Sequence, residues 1–376
     1  MPFDVNSTRM IILAPTGRGK TNIAKRISGQ IIKFYSKDYN RKTVIFDLKG
    51  ADWQAIDKPN TKAKNLLPGE YPFGIKNCKI YIPRFMRKLE KKAIHFSFGP
   101  LEFNFKDWCQ FAELAGAPAW VLKRLKQVKP EVFKSSETLI NEINNIPTND
   151  AQKNFSEYSF FIDGRTKNKL IRQLETLFED NVLKEDNDFD VVSDLKRGII
   201  PVFLFSKDMS PNYSRFYIGK ILEKIYTYRE EEFRKLKDRS ITKEELGKIN
   251  IIIEELIVIF SKQMKTEDNP CAWNIAGCLR QGRTFGISFE GITQSISEMH
   301  NAIKESWNYM IVGPHVSSDD IAMLKSMKIP EYMIVEIERL RFKPKENIRE
   351  FMLIYEDRMR YTVFNSAQCQ IGEASE

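Results

Sequence analysis

Eight residues, APTGRGKT from Ala14 to Thr21, restrict this chain more than any other stretch. They follow the phosphate-loop pattern G-x-x-x-x-G-K-[ST], with Ala14 at the first glycine position. Gly17 and Gly19 take positive φ cheaply, so backbone N–H groups can turn inward as an anion nest. Lys20 supplies a point charge for β- and γ-phosphates, and the Thr21 hydroxyl is a ligand for Mg²⁺. Pro15, Thr16 and Arg18 complete the turn. Such a turn works between a strand and the positive end of a helix. The flanks agree. Met10–Leu13 is an apolar run of strand length, and Ile23, Ile27 and Ile31 recur at helical spacing.

A phosphate cradle implies nucleotide binding; hydrolysis needs acids beside it. The stretch NIIIEELIVIF, Asn250 to Phe260, offers them. Ile251, Ile252 and Ile253 read as a buried strand with Glu254 and Glu255 at its end. Glu254 is the candidate on the Mg²⁺ side and Glu255 the candidate general base. The alternative is the edge of an amphipathic helix, since Glu-Glu-Leu is also helix-friendly. LRQGRTFGISFEGITQSISEMH, Leu279 to His300, reads as a helix, then a strand from Gly286 to Thr293, then Gln294. Gln294 at a strand tip suits a γ-phosphate sensor. Arg280 and Arg283, just ahead of that strand, are candidates to reach a neighbouring subunit's nucleotide. Glu290 puts a charge into a strand expected to be central, which the pattern does not explain.

At 376 residues the chain has room for two domains, or one with a large insertion. It is 42% hydrophobic, enough for a sizeable core. No apolar run approaches the ~20 residues of a transmembrane helix, and the start lacks the pattern of a secretory signal. A soluble, cytoplasmic protein is the expectation. The net charge of +9 is compatible with a polyanion partner, and equally with solvated lysines. Five cysteines without a Cys-x-x-Cys pair, and three histidines, give no zinc constellation.

Taken in order, APTGRGKT, VIFDLKG (Val44 to Gly50), IIIEE and GRTFGISFEGITQS resemble the HerA–FtsK superfamily of DNA-translocating ATPases. The family has Asp-Pro-Lys-Gly where this chain has Asp47-Leu48-Lys49-Gly50, and Asp where it has Glu254. RGIIPVFLFSKDMSPNYSRFYIGKILEKI, Arg197 to Ile225, is similar to the family's strand and following long helix. The resemblance implies a RecA-like P-loop core with a mostly parallel sheet, ATP and Mg²⁺ as cofactors, a homo-oligomeric ring (a hexamer) and double-stranded DNA as the partner. It also places Arg283 at a subunit edge, with Arg280 in reserve. No barrel, membrane anchor or winged helix is read around the core. A stripped-down motor of this kind resembles viral DNA-packaging ATPases, including archaeal ones, or a plasmid transfer ATPase. A capsid portal or a transfer-complex protein would then be a further partner. A nucleotide-binding scaffold without processive hydrolysis is the rival from another class.

The expected organisation is a core over 1–335, interrupted by a mainly helical insertion at about 107–185, with a C-terminal extension over 336–376 carrying a β-hairpin. Ile94–Phe105 alternates around Gly99-Pro100 and is expected as a hairpin or two short strands. Leu170, Leu174, Leu177 and Phe178 mark one helical face. VLKRLKQVKPEVFK, after Trp120, is either a phosphate-tracking stripe or a solvated helix face. The segment from Arg229 to Lys248 is expected as a solvated, charged helix and turn.

Overall fold

The computed structural model describes residues 9–35, 40–50, 52–63, 65–86, 92–104, 107–108, 116–148, 160, 162–179, 183, 189–206, 209, 211–262, 282, 284–304 and 306–371. The chain divides into two compact units, one of residues 1–81, 191–266 and 271–376, the other of 82–190 and 267–270.

In chain order the described strands are β1 (Arg9–Leu13), β2 (Arg41–Asp47), β3 (Cys78–Pro83), β4 (Ile94–Phe96), β5 (Ile200–Leu204), β6 (Lys248–Glu254), β7 (Ile287–Thr293), β8 (Tyr309–Val312), β9 (Phe342–Lys343), β10 (Ile348–Ile354) and β11 (Tyr361–Asn365). Across the first unit they lie in the order β11-β10-β8-β1-β7-β6-β2-β5-β3. The pairs from β8 to β3 are parallel; β10 runs antiparallel to β8, β9 and β11. This is an α/β fold built on a mostly parallel sheet. Strands buried on both faces read as unbroken apolar runs, and Ile251, Ile252 and Ile253 are indeed wholly buried. The acidic pair thus ends a strand, and its alternative reading as a helix edge is set aside.

Helix α1 (Lys20–Tyr35) packs Ile23, Ile27 and Ile31 into the core. Register then fixes where chemistry can occur. Leu13 sits level with Thr293 and Val312, and Asp47 with Glu254 and Leu204. The carboxyl ends of β1, β7, β6 and β2 therefore share one edge, where ligands of such sheets bind.

Glu290 finds its explanation in α1. It is buried in β7, where its Oε2 accepts a hydrogen bond from the Ser28 hydroxyl at 2.8 Å. Burial pushes its carboxyl from 4.5 up to about 7, against the pull of Ser28 and the charge of Arg41. The folded chain thus keeps this proton to higher pH than the unfolded chain. Its stabilising effect is full below about pH 4.5 and is lost as pH rises through about 7. Glu290→Gln should therefore melt above the parent at about pH 8, by the equivalent of up to ~3 kcal/mol, with the gap closing toward about pH 5. Thermal denaturation at both pH values reads this. A gap independent of pH would mean that the carboxyl is already charged in the fold.

Arg229 departs from the solvated helix expected there. The helix Pro211–Lys237 carries it fully buried. Its guanidinium donates to the Phe285 carbonyl at 2.8 Å, Leu246 at 2.6 Å and Gly247 at 3.0 Å. One side chain thus ties this helix to the entrances of β6 and β7.

The second unit packs the helices Ala117–Val128, Ser136–Asn145 and Gly164–Glu179 around Trp108, Phe133, Leu122, Leu139, Leu170 and Leu174. Of the hairpin or two short strands expected at 94–105, one short strand, β4, forms over the described residues. After β4 the chain makes a 3₁₀ turn at Pro100–Glu102. Glu102 accepts the Gly99 N–H at 3.1 Å, and Pro100 presets the turn. Phe96, Phe98 and Phe103 all point inward, so the alternation marks no open strand face. In the basic stretch, Lys126 bonds the Phe103 carbonyl at 2.7 Å and Lys129 pairs with Glu142 at 2.6 Å. Trp120 is exposed, with Arg124 5.3 Å from its ring.

Candidate functional site

The turn between β1 and α1 has the geometry its sequence requires. Gly17 and Gly19 hold φ of 74° and 83°. Ala14, in the first glycine position, is fully buried. Its methyl is admitted because Gly313, just past β8, has no side chain. A Cβ there would lie 2.6 Å from the Ala14 Cβ and 2.9 Å from Phe351. Thr16, Gly17, Arg18 and Gly19 form the rim, with Arg18 stacked 5.4 Å from the Phe342 ring. The Arg18 N–H closes the turn onto the Pro15 carbonyl at 3.3 Å.

Lys20 begins α1 and is buried. Burial pushes its ammonium below the ordinary lysine range, while Glu255 and Glu254 pull the other way. A partly desolvated ammonium at the head of a helix favours an anion beside it, against the repulsion of the two carboxylates.

β6 delivers the acids. Thr21 Oγ1 donates to Glu254 Oε1 at 2.8 Å and lies 3.4 Å from Asp52 Oδ2. Glu254 is fully buried and also accepts the Trp53 indole N–H at 3.3 Å. Burial, then the nearby Asp47 and Asp52, push its carboxyl up to about 7. Asp47 closes β2 and accepts the N–H groups of Lys49, Gly50 and Trp53. Those bonds favour its charged form, yet burial and Asp52 still raise it to about 6. The Thr21 hydroxyl and the Glu254 carboxylate, 2.8 Å apart, are two hard oxygen donors of the kind that suit a divalent cation shared with phosphates. Among the described residues no group of three or more His, Cys, Asp or Glu is arranged to hold a metal unaided. A cation shared with phosphates does not require one.

Glu255 takes the left-handed conformation, φ 56° and ψ 54°, as the strand passes into the short helix Leu256–Ile259. For a non-glycine residue this is strain on the order of 1–3 kcal/mol, of the kind found at functional sites. Glu255 Oε1 accepts Gln294 Nε2 at 2.9 Å and pairs with the Lys49 ammonium. Gln294, at the tip of β7, in turn accepts the Thr16 hydroxyl at 2.6 Å.

The structure therefore brings Lys20, Thr21, Glu254, Glu255 and Gln294 together around the cradle. Arg280 and Arg283 lie outside the described residues. Asp47 and Lys49, from the stretch that carries the resemblance, also join the site, as do Asp52 and Trp53 just past it, which no motif marks.

Residues 2–225 match the family described as "Helicase HerA, central domain". A search of curated proteins returned no significant match. Among solved structures, the bacterial conjugative coupling protein TrwB, in its ΔN70 form, is 14% identical. The match covers 100% of this chain and 89% of that one, with a TM-score of 0.60. VirB4 of Thermoanaerobacter pseudethanolicus is 12% identical, with 100% and 92% covered and a TM-score of 0.55. The genome packaging NTPase B204 of Sulfolobus turreted icosahedral virus 2 is 8% identical, with 95% and 96% covered and a TM-score of 0.42. TrwB and VirB4 share the fold. Among the described residues no helix is long and apolar enough to cross a membrane. With the matched region spanning more than half its length and the cradle formed at its head, the chain belongs to the HerA helicase central-domain family and is a P-loop ATPase of the HerA–FtsK type.

Proposed function

We propose that this chain hydrolyses ATP and uses the energy to translocate double-stranded DNA through a homo-oligomeric ring, a hexamer. The observation that carries this reading is the placement of Glu255 and Gln294, hydrogen-bonded to one another beside the cradle rim at Thr16. When bound, ATP and its magnesium supply the transferable phosphoryl group and the charge that polarises it. Lys20 and the backbone N–H groups of the turn would hold the phosphates; Thr21 and Glu254 would hold the cation. Both Glu255 contacts fall on Oε1. Its Oε2 is therefore the atom to take a proton from the attacking water, while Gln294 fixes the carboxylate's direction. Arg283, with Arg280 in reserve, serves the neighbouring subunit's nucleotide.

The task we assign to this motor is the loading of a viral genome through a capsid portal. Delivery of DNA into a plasmid or conjugative transfer complex would use the same machinery and differ in the protein that receives it.

The net charge of +9 and the lack of a base-reading motif argue for contact with the DNA backbone. Duplex DNA should raise ATP turnover. Its affinity should fall steeply as salt rises and vary little with sequence. A turnover assay with and without duplex, repeated across salt concentrations, tests this. Turnover indifferent to duplex would leave a nucleotide-binding scaffold as the better reading.

A further inference from the structure

The site is closed by a circuit of polar links. Thr16 bonds Gln294, and Gln294 bonds Glu255 Oε1. Lys49 pairs with that same oxygen and lies 3.9 Å from Glu254 Oε1, which accepts the Thr21 hydroxyl at 2.8 Å. The circuit thus starts and ends on the cradle, and Lys49 is the one cation within it. Asp52 stands 3.9 Å from the same ammonium.

Two features of this circuit bear on catalysis. First, its end links use the Thr16 and Thr21 hydroxyls, groups that a nucleotide and its cation would engage. Filling the cradle therefore competes with the links that hold Glu255. Second, the Lys49 ammonium neutralises the same carboxylates that a divalent cation would meet. Two positive charges cannot share so small an acidic cluster without repulsion. Lys49 can yield, because its side chain is about one-fifth exposed and ends a flexible stem.

We propose that Lys49 is a positioning residue: it yields Glu254 to the incoming magnesium nucleotide but keeps Glu255 in a resting orientation until DNA engages. This rests on Glu255 being the base. Lys49 then sets the idle rate of the motor, since a free Glu255 would be able to activate water before DNA engages. The residue lies four positions before Trp53, on the turn that follows β2. Any movement of that turn would be transmitted to the base.

The test uses Lys49→Met and Lys49→Arg in the full chain. Binding of a fluorescent ADP analogue is followed as Mg²⁺ is titrated, and ATP turnover is measured without DNA. With the ammonium gone, half-maximal binding should need roughly threefold to tenfold less Mg²⁺, the scale of one part-buried ion pair. DNA-free kcat should rise by a similar factor with KM little changed. Lys49→Arg restores the charge and should return both values toward the parent. The proposal is overturned if Lys49→Met binds the analogue with unchanged Mg²⁺ dependence. It is equally overturned if binding stays intact while kcat falls, because Lys49 would then be needed for chemistry. Turnover that survives in Glu255→Gln would remove the base reading instead. The magnesium titration would still decide whether Lys49 competes with the cation.

Discussion

Glu255→Gln should bind ATP as the parent does and turn it over about 10²-fold more slowly, or worse. The amide is nearly isosteric, so the bond from Gln294 to the side-chain oxygen can persist and the left-handed turn is undisturbed. What is lost is the ability to accept a proton, together with the charge that pairs with Lys49. The expected signature is a slow enzyme with bound, unhydrolysed ATP. Single-turnover quench measurements read it directly, because they separate binding from chemistry. A variant that hydrolyses ATP at the parent's rate would show that another group activates the water. Asp52, 3.4 Å from the Thr21 hydroxyl, would then be the next residue to change.

Lys20→Ala should remove hydrolysis and weaken nucleotide binding together. The side chain is buried and its ammonium already partly desolvated by the fold, so little further desolvation accompanies phosphate binding. A preorganised charge of this kind on a transferring phosphoryl group is worth roughly 10²–10³ in rate. Removing it also leaves Glu254 and Glu255 facing the phosphates without the nearest balancing cation on α1. Equilibrium binding of a fluorescent ADP analogue, with turnover in parallel, measures both losses. Unchanged turnover would end the reading of APTGRGKT as a phosphate cradle.

The parts of the fold that sequence made legible are those fixed by local rules. The turn from Ala14 to Thr21 could be read because anion nests demand glycine at set positions, and both Gly17 and Gly19 take positive φ. β6 could be read because strands buried on both faces are apolar without interruption. Glu290 could not be understood locally. Its partner, Ser28, comes from a helix 262 residues earlier, and only the sheet order brings β7 beneath α1. Arg229 looked like one more charge on a solvated helix, because the carbonyls that receive it belong to Leu246, Gly247 and Phe285. Of the hairpin or two short strands expected near Gly99-Pro100, one strand formed and the rest gave way to a 3₁₀ turn because the inward-facing aromatics, not the alternation, decided the packing.

In the site, Glu254, Glu255 and Gln294 were legible as residues at strand ends, and their convergence follows from register. Lys49 was visible only as part of a resemblance. Its pairing with Glu255 depends on β2 and β6 being neighbours, which no spacing along the chain states. Substituting Ala14 for the first glycine looked like a departure. It is matched by Gly313, a residue almost three hundred positions away.

The central claim is that ATP hydrolysis at this cradle moves the protein along duplex DNA. A triplex-displacement assay tests it most directly: a labelled third strand is placed at increasing distances from a free duplex end, and its release is followed in time. The parent should release the third strand only with ATP, with a lag that lengthens with distance, and Glu255→Gln should release none under the same conditions. Release by Glu255→Gln at the parent's rate, or no release by a parent that is actively hydrolysing ATP on the same DNA, would contradict it.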